Sequence, residues 1–280
     1  MEIFRQPDAK SAAAEAGEHL NAFLLANKKS PILLMLSGGS ALSILEYVGP
    51  AALGENLAIS VLDERFSIEP EVNPVRSKPP GAATDALRHR TSNGVNNFLQ
   101  LQKTDFYKDA FGAEASFFGT LPRDGEGPED LRQRWDKNLK NWREENPNGL
   151  IVATLGMGQD GHTAGIFPFP EDADKFQSMF CGGSWTAAYN AGNKSQYTER
   201  ITTTVTFLKM VDFGFAFVVG KEKQEIFTRL TSGNVKTAGI PANVWHEMKN
   251  VKVFTPLEAR AKGAADADGN LPLTGFTDLG

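Results

Sequence analysis

Strand-length apolar runs, each ending in a glycine- or charge-rich turn and separated by helical segments, predict an α/β protein. The expected architecture is three-layer and Rossmann-like, a doubly wound, mostly parallel sheet in one main domain. Residues 32–36 (ILLML), 57–62 (LAISVL), 150–155 (LIVATL) and 213–219 (FGFAFVV) are apolar runs without charge, as suits strands covered on both faces. The second observation is where these runs lead. They deliver SGGS, DER, GMGQDGH and GKEK, and in such sheets ligands bind at the carboxyl ends of strands.

Bulk properties narrow the class. The 280 residues suffice for a large core, and we expect a main domain over residues 1–260 followed by a disordered tail over 261–280. Hydrophobic content of 41% and charged content of 22% suit an ordinary soluble globular protein. A net charge of −5 argues against a nucleic-acid partner while leaving room for a local basic pocket. Cys181 is the one cysteine, so neither a disulfide framework nor a cysteine-based zinc cluster is expected. There is no signal-peptide pattern and no apolar run long enough to span a bilayer. The expectation is a cytoplasmic monomer or small homo-oligomer without membrane contact.

Residues 8–29 read as a helix with Asp8 or Ser11 as cap and an Ala-rich face bearing Leu and Phe; Pro31 stops it. After the strand at 32–36, SGGS (37–40) and ALSILEYV form a strand, Gly-Gly turn and helix. That arrangement turns backbone N–H groups toward an anion. No Gly-Lys-Ser/Thr follows, so this is not a nucleotide-hydrolysing P-loop. The strand at 57–62 runs into Asp63, Glu64 and Arg65, read as a charged loop on the same sheet edge. Residues 66–91 carry four prolines with Arg76, Lys78, Arg88, His89 and Arg90, and read as a long irregular surface insertion. Helices are expected over 93–106 and 129–145. The second places Leu131, Trp135, Leu139 and Trp142 at helical spacing, a core face. A strand over 186–189, a strand-like start at RITTT, the buried strand 213–219, the helix QEIFTRLTSG, a short helix after Pro241 and a last strand VKVFT complete the alternation.

The stretch LGMGQDGHTAGIFP (155–168) is the most informative. Gly156, Gly158 and Gly161 let the backbone approach a ligand closely, and they surround Asp160 and His162. The letters also fit the dinucleotide fingerprint G-x-G-x-x-G. That motif should open a long helix with an acidic residue at the end of the next strand. Pro168 and Pro170 interrupt the segment instead, which rejects a nicotinamide site.

Taken together, LSGGS (36–40), DER (63–65), SNG (92–94), LGMGQDGHTAGIFP, ERIT (199–202), GKEK (220–223) and IPA (240–242) resemble the 6-phosphogluconolactonase and glucosamine-6-phosphate deaminase family. They stand in the family's order across most of residues 33–255. The deaminase branch typically follows DGH with a glutamate-bearing IAFNEP; here Thr-Ala-Gly-Ile-Phe-Pro follows and the next carboxylate is Glu171, as in lactonases. The resemblance implies hydrolysis of 6-phosphogluconolactone, with a phosphosugar lactone as the small-molecule partner and no cofactor or metal.

Under that resemblance His162 is the base that activates water, with the right unperturbed pKa for it. Asp160 orients its imidazole or holds sugar hydroxyls. Gly38, Gly39 and Ser40 cradle the phosphate, Lys223 and Arg200 supply charge, and Arg65 serves the phosphate or the developing oxyanion. Asp63 and Gly158 complete the substrate contacts. Lys221 is expected to face solvent, and His19, His89 and His246 to be surface or structural. Two departures touch substrate choice: SGGSAL stands where the family has SGGSTP, and the stretch between DER and SNG is much longer than usual. The rival readings are a glucosamine-6-phosphate deaminase, a non-catalytic sugar-phosphate sensor and a phosphate-binding protein with a new ester substrate. The sensor would need an attached DNA-binding segment, whereas this chain starts almost at once with a core helix.

Overall fold

Ten strands form two sheets in the computed structural model, which describes residues 1–66, 96–233 and 235–259. The strands are β1 (Glu2–Arg5), β2 (Ile32–Leu36), β3 (Leu57–Val61), β4 (Asp63–Arg65), β5 (Ser116–Phe117), β6 (Leu150–Gly156), β7 (Thr186–Asn190), β8 (Glu199–Thr203), β9 (Phe213–Phe217) and β10 (Val251–Thr255). Seven of them make the main sheet, in the order β1-β10-β9-β6-β2-β3-β5, with every neighbouring pair parallel. The other three, in the order β4-β8-β7, make a small antiparallel sheet.

The helices are α1 (Ala9–Ala26), α2 (Asn97–Gln102), α3 (Asp105–Gly112), α4 (Pro128–Glu145), α5 (Ala173–Phe180), α6 (Val205–Leu208) and α7 (Gln224–Ser232). The continuous apolar runs have a simple cause. Side chains alternate between the faces of a strand, and both faces of the main sheet are covered. Ile32, Leu34 and Leu36 join Ala16, Leu20 and Phe106 in one core. Leu33 and Met35 join Trp135, Leu139 and Phe227 in the other. The expected three layers are present, with a core on each side of the sheet.

Local chemistry sets several boundaries. Asp8 is the cap of α1, accepting from Ser11 N at 2.7 Å. The expected helix over 93–106 is two helices among its described residues, because Thr104 leaves helical geometry and caps α3 by accepting from Tyr107 N at 3.1 Å. The helix expected after SGGS is a tighter 3-10 helix over Gly39–Tyr47. Strand β1, in a start that reads as polar, is an edge strand paired to β10, so its pattern is only half apolar. Short β5 and α5 also had no clear periodicity to announce them.

The largest correction concerns Asp63, Glu64 and Arg65. They are strand β4, not a solvated loop: Asp63 pairs with Thr202, Glu64 with Ile201 and Arg65 with Arg200. Asp63 is 5% exposed and Glu64 0%. Three charges in a row look solvated only when the second sheet is invisible. The insertion beyond Phe66, the SNG match and the tail at 261–280 lie outside the described residues.

Candidate active site

Strands β9, β6, β2 and β3 are consecutive in the main sheet. Their carboxyl ends lead, in the same spatial order, to the segments 220–223, 156–165, 37–40 and 63–65. The chain switches direction between β2 and β6, since β2 pairs with β3 on one side and with β6 on the other. A crevice at such a switch point is where open α/β sheets bind ligands. Here it holds a cavity of about 190 Å³ lined by Ser37, Gly38, Gly39, Ser40, Asp63, Arg65, Asn97, His162, Arg200 and Lys223, among others. A roomier hollow of about 450 Å³ near His19, Phe213 and Val251 lies at the amino ends of β1, β9 and β10, away from the glycine- and charge-rich segments, so the strand ends select the smaller cavity.

His162 enters the cavity from a tight turn after β6. Its Nδ1 lies 2.6 Å from Asp160 Oδ1, and its backbone N donates to the same oxygen at 3.1 Å. Burial pushes the Asp160 carboxyl up, but the hydrogen bond and charge of His162 outweigh it and hold Asp160 below its ordinary value. An ionised Asp160 can only accept, so in the neutral ring the proton sits on Nδ1 and Nε2 keeps its lone pair. Asp160 is not itself a wall of the cavity. Nor is Gly158, whose absent side chain has a different use: a Cβ there would come within 2.1 Å of the His162 ring.

The turn continues through Ala164, at φ +50, and Gly165, at φ +69. The small sheet holds both carbonyls. Thr202 Oγ1 donates to Ala164 O, and the buried Tyr189 hydroxyl donates to Gly165 O at 2.5 Å. Burial pushes the Tyr189 hydroxyl pKa up, so it stays a donor.

The cations divide by their partners. Arg200, 5% exposed, is ion-paired with Asp63, and its Nε is buried without a hydrogen-bond partner among the described residues. Arg65 lies over the Tyr197 ring, 5.5 Å from its centroid. Lys223 is half-buried at the end of a short 3-10 turn and forms no ion pair among the described residues. Burial lowers its pKa, with Glu222 partly compensating. Lys221 is exposed, as expected. His19 lies near Lys252 Nζ, at 3.1 Å, and His246 Nε2 near Leu230 O, at 3.0 Å, both away from the cavity. His89 is outside the described residues.

Sequence reasoning missed Asn97. It is 1% exposed, its Nδ2 donates to Asp63 O at 2.9 Å and Asp63 Oδ1 at 3.2 Å, and it lines the cavity. Its Oδ1 occupies the space beside Gly38, where a Cβ would approach it to 2.2 Å. The glycine in SGGS therefore admits Asn97 as well as any ligand. No local pattern marks an asparagine just inside a short helix as part of a site.

The family of glucosamine-6-phosphate isomerases and 6-phosphogluconolactonases matches residues 7–254. The chain belongs to that family. A 6-phosphogluconolactonase of Neisseria meningitidis is 27% identical over 252 residues, 88% of this chain and 93% of the relative. The solved 6-phosphogluconolactonase from Plasmodium vivax has a TM-score of 0.67 at 13% identity, over 91% of this chain and 90% of that one. A monomeric glucosamine-6-phosphate deaminase has a TM-score of 0.62 at 14% identity, over 93% and 98%. Members with either chemistry share this fold, so within the glucosamine-6-phosphate isomerase/6-phosphogluconolactonase family the cavity has to discriminate. Among its described lining residues the one carboxylate is Asp63, and Arg200 already holds it.

Proposed function

We propose that the protein hydrolyses 6-phospho-D-glucono-1,5-lactone to 6-phosphogluconate, the ring-opening step of the oxidative pentose phosphate pathway. The observation that carries this reading is the Asp160–His162 pair, 2.6 Å apart, with His162 in a cavity that also holds Lys223, Arg65 and the SGGS turn. A lactone needs an activated water, a grip on the phosphate and relief of the tetrahedral oxyanion. His162 Nε2 takes a proton from water as the oxygen attacks the lactone carbonyl carbon. Asp160 holds the ring in the required tautomer and favours the imidazolium that forms. As the carbon–oxygen bond of the ring breaks, the imidazolium returns its proton to the leaving alkoxide, giving the free hydroxyl and the acid, which ionises.

The phosphate rests on Gly39, Ser40 and Lys223, which lines the cavity half-buried and forms no ion pair among the described residues. Arg65 faces either the phosphate or the oxyanion. Asp63, oriented by Arg200 and Asn97, accepts from sugar hydroxyls. A deaminase must move a proton from the carbon next to the carbonyl and assist ring opening, which calls for a second free carboxylate. The residues after His162 supply none before Glu171.

The test is hydrolysis of freshly generated 6-phosphogluconolactone, coupled to 6-phosphogluconate dehydrogenase and corrected for spontaneous opening. His162→Ala should lower kcat by roughly 100-fold or more. Turnover no faster than background in the wild-type protein, or ammonia release from glucosamine 6-phosphate, would reject the reading.

A further inference from the structure

Glu64 is fully buried beside the cavity and takes no part in the mechanism above. Its Oε1 accepts from Arg65 N at 2.8 Å and from Asn97 N at 2.7 Å. Its Oε2 accepts from Phe98 N at 3.1 Å and from Thr120 Oγ1 at 2.8 Å. These partners are not a random sample of the neighbourhood. Arg65 and Asn97 are both cavity walls, and Asn97 continues the chain of contacts to Asp63 and to Gly38 of the SGGS turn. One carboxyl group thus gathers strand β4, the first turn of α2 and, through Asn97, the phosphate-side turn.

Burying a carboxyl group destabilises the fold unless hydrogen bonds compensate. For stability alone an apolar contact would serve as well. What an apolar side chain cannot do is fix two backbone amides from different segments on one oxygen atom. We propose that Glu64 is a positioning residue for the reaction: its carboxyl sets the Arg65 and Asn97 backbones against Gly38, so that Asp63, Arg65 and Arg200 meet the phosphosugar in register. This rests on the phosphosugar reading of the cavity. Thr120 is the one partner that can adapt, because a hydroxyl either donates or accepts while the three amides only donate.

The discriminating variant is Glu64→Gln. Whichever oxygen becomes NH2, it meets a backbone N–H donor to donor: Phe98 on one side, Arg65 and Asn97 on the other. The expected result is a KM for the lactone raised about tenfold, with kcat within about threefold, since binding groups lose register while His162 keeps Asp160. Thr120→Val, which removes one of the four bonds that the described residues make to Glu64, should give a smaller rise in the same direction and serves if Glu64→Gln fails to fold. Leu24→Ala, a core truncation at the end of α1, is the control for stability. The proposal is overturned if the KM of Glu64→Gln stays within twofold of wild type, or if Leu24→Ala raises KM as much for the same loss of Tm. Should the wild-type protein not hydrolyse the lactone, the function reading fails on its own. Calorimetric binding of inorganic phosphate then tests the positioning: about tenfold weaker binding in Glu64→Gln sustains it, and equal binding overturns it.

Discussion

One oxygen of Asp160 bonds both nitrogens that could misplace His162: the ring Nδ1 at 2.6 Å and the backbone N at 3.1 Å. The ring orientation and the turn that carries it are therefore set together. Asp160→Asn can present an amide N–H to Nδ1 and drive the proton onto Nε2, which abolishes the free lone pair. We expect kcat to fall roughly 100-fold or more with KM little changed. A kcat within threefold of wild type would remove Asp160 as the orienting group.

Lys223 should matter for binding rather than for chemistry. Lys223→Ala is expected to raise KM about tenfold or more while kcat stays within severalfold, because phosphate binding is equal in ground and transition states. Lys221→Ala, at an exposed position two residues earlier, should leave both constants unchanged. Equal effects at the two lysines would show a general charge effect instead of a phosphate contact.

Gly165 is required twice over. Its φ of +69 disfavours any side chain, and a Cβ would come within 2.6 Å of the Asp63 carboxylate. Gly165→Ala should cost roughly 1–3 kcal/mol of stability from backbone strain and push Asp63 off Arg200, raising KM. Gly183→Ala, where a Cβ meets nothing within 4 Å, is the control. Denaturant midpoints and KM values for the pair decide the matter, and indistinguishable variants would refute it.

Burial drives the Glu64 carboxyl up from 4.5 to about 7, with its hydrogen bonds from Asn97, Thr120, Arg65 and Phe98 pulling the other way. A raised value means that the native state holds the proton more tightly than the unfolded chain does. Its contribution to stability is fully present below pH 4.5 and is lost as pH rises through about 7. At 1.36 kcal/mol per unit the loss is on the order of 3 kcal/mol. Urea unfolding at pH 5 and pH 8 should show wild type losing more stability than Glu64→Gln over that interval. Parallel pH profiles would contradict the assignment.

Much of this molecule was legible in the sequence because the main sheet is covered on both faces. That makes β2, β3, β6 and β9 apolar runs free of charge, and each run points to the segment at its carboxyl end. The loop of Asp160 and His162 and the SGGS turn stood out from that placement, and the choice of Lys223 came with the family resemblance. The small antiparallel sheet did not. Its strand β4 is three charged residues whose burial depends on β8, 137 positions away by the Asp63–Arg200 ion pair, and no local pattern encodes a partner at that distance. Asn97 and Glu64 were missed for the same reason: their importance lies in whom they touch.

The small sheet also separates the lifetime of activity from that of the fold. Thr202 and Tyr189 hold the carbonyls of Ala164 and Gly165, and Arg200 holds Asp63, so three anchors of the cavity belong to β7 and β8. Those two strands and β4 make a sheet of three strands against seven, and small units open locally at lower free energy than whole domains. On gradual warming, turnover is therefore expected to cease before the far-ultraviolet signal of the main sheet changes. Cooling from that point should restore it, because the larger sheet would have remained as the template on which the smaller one closes.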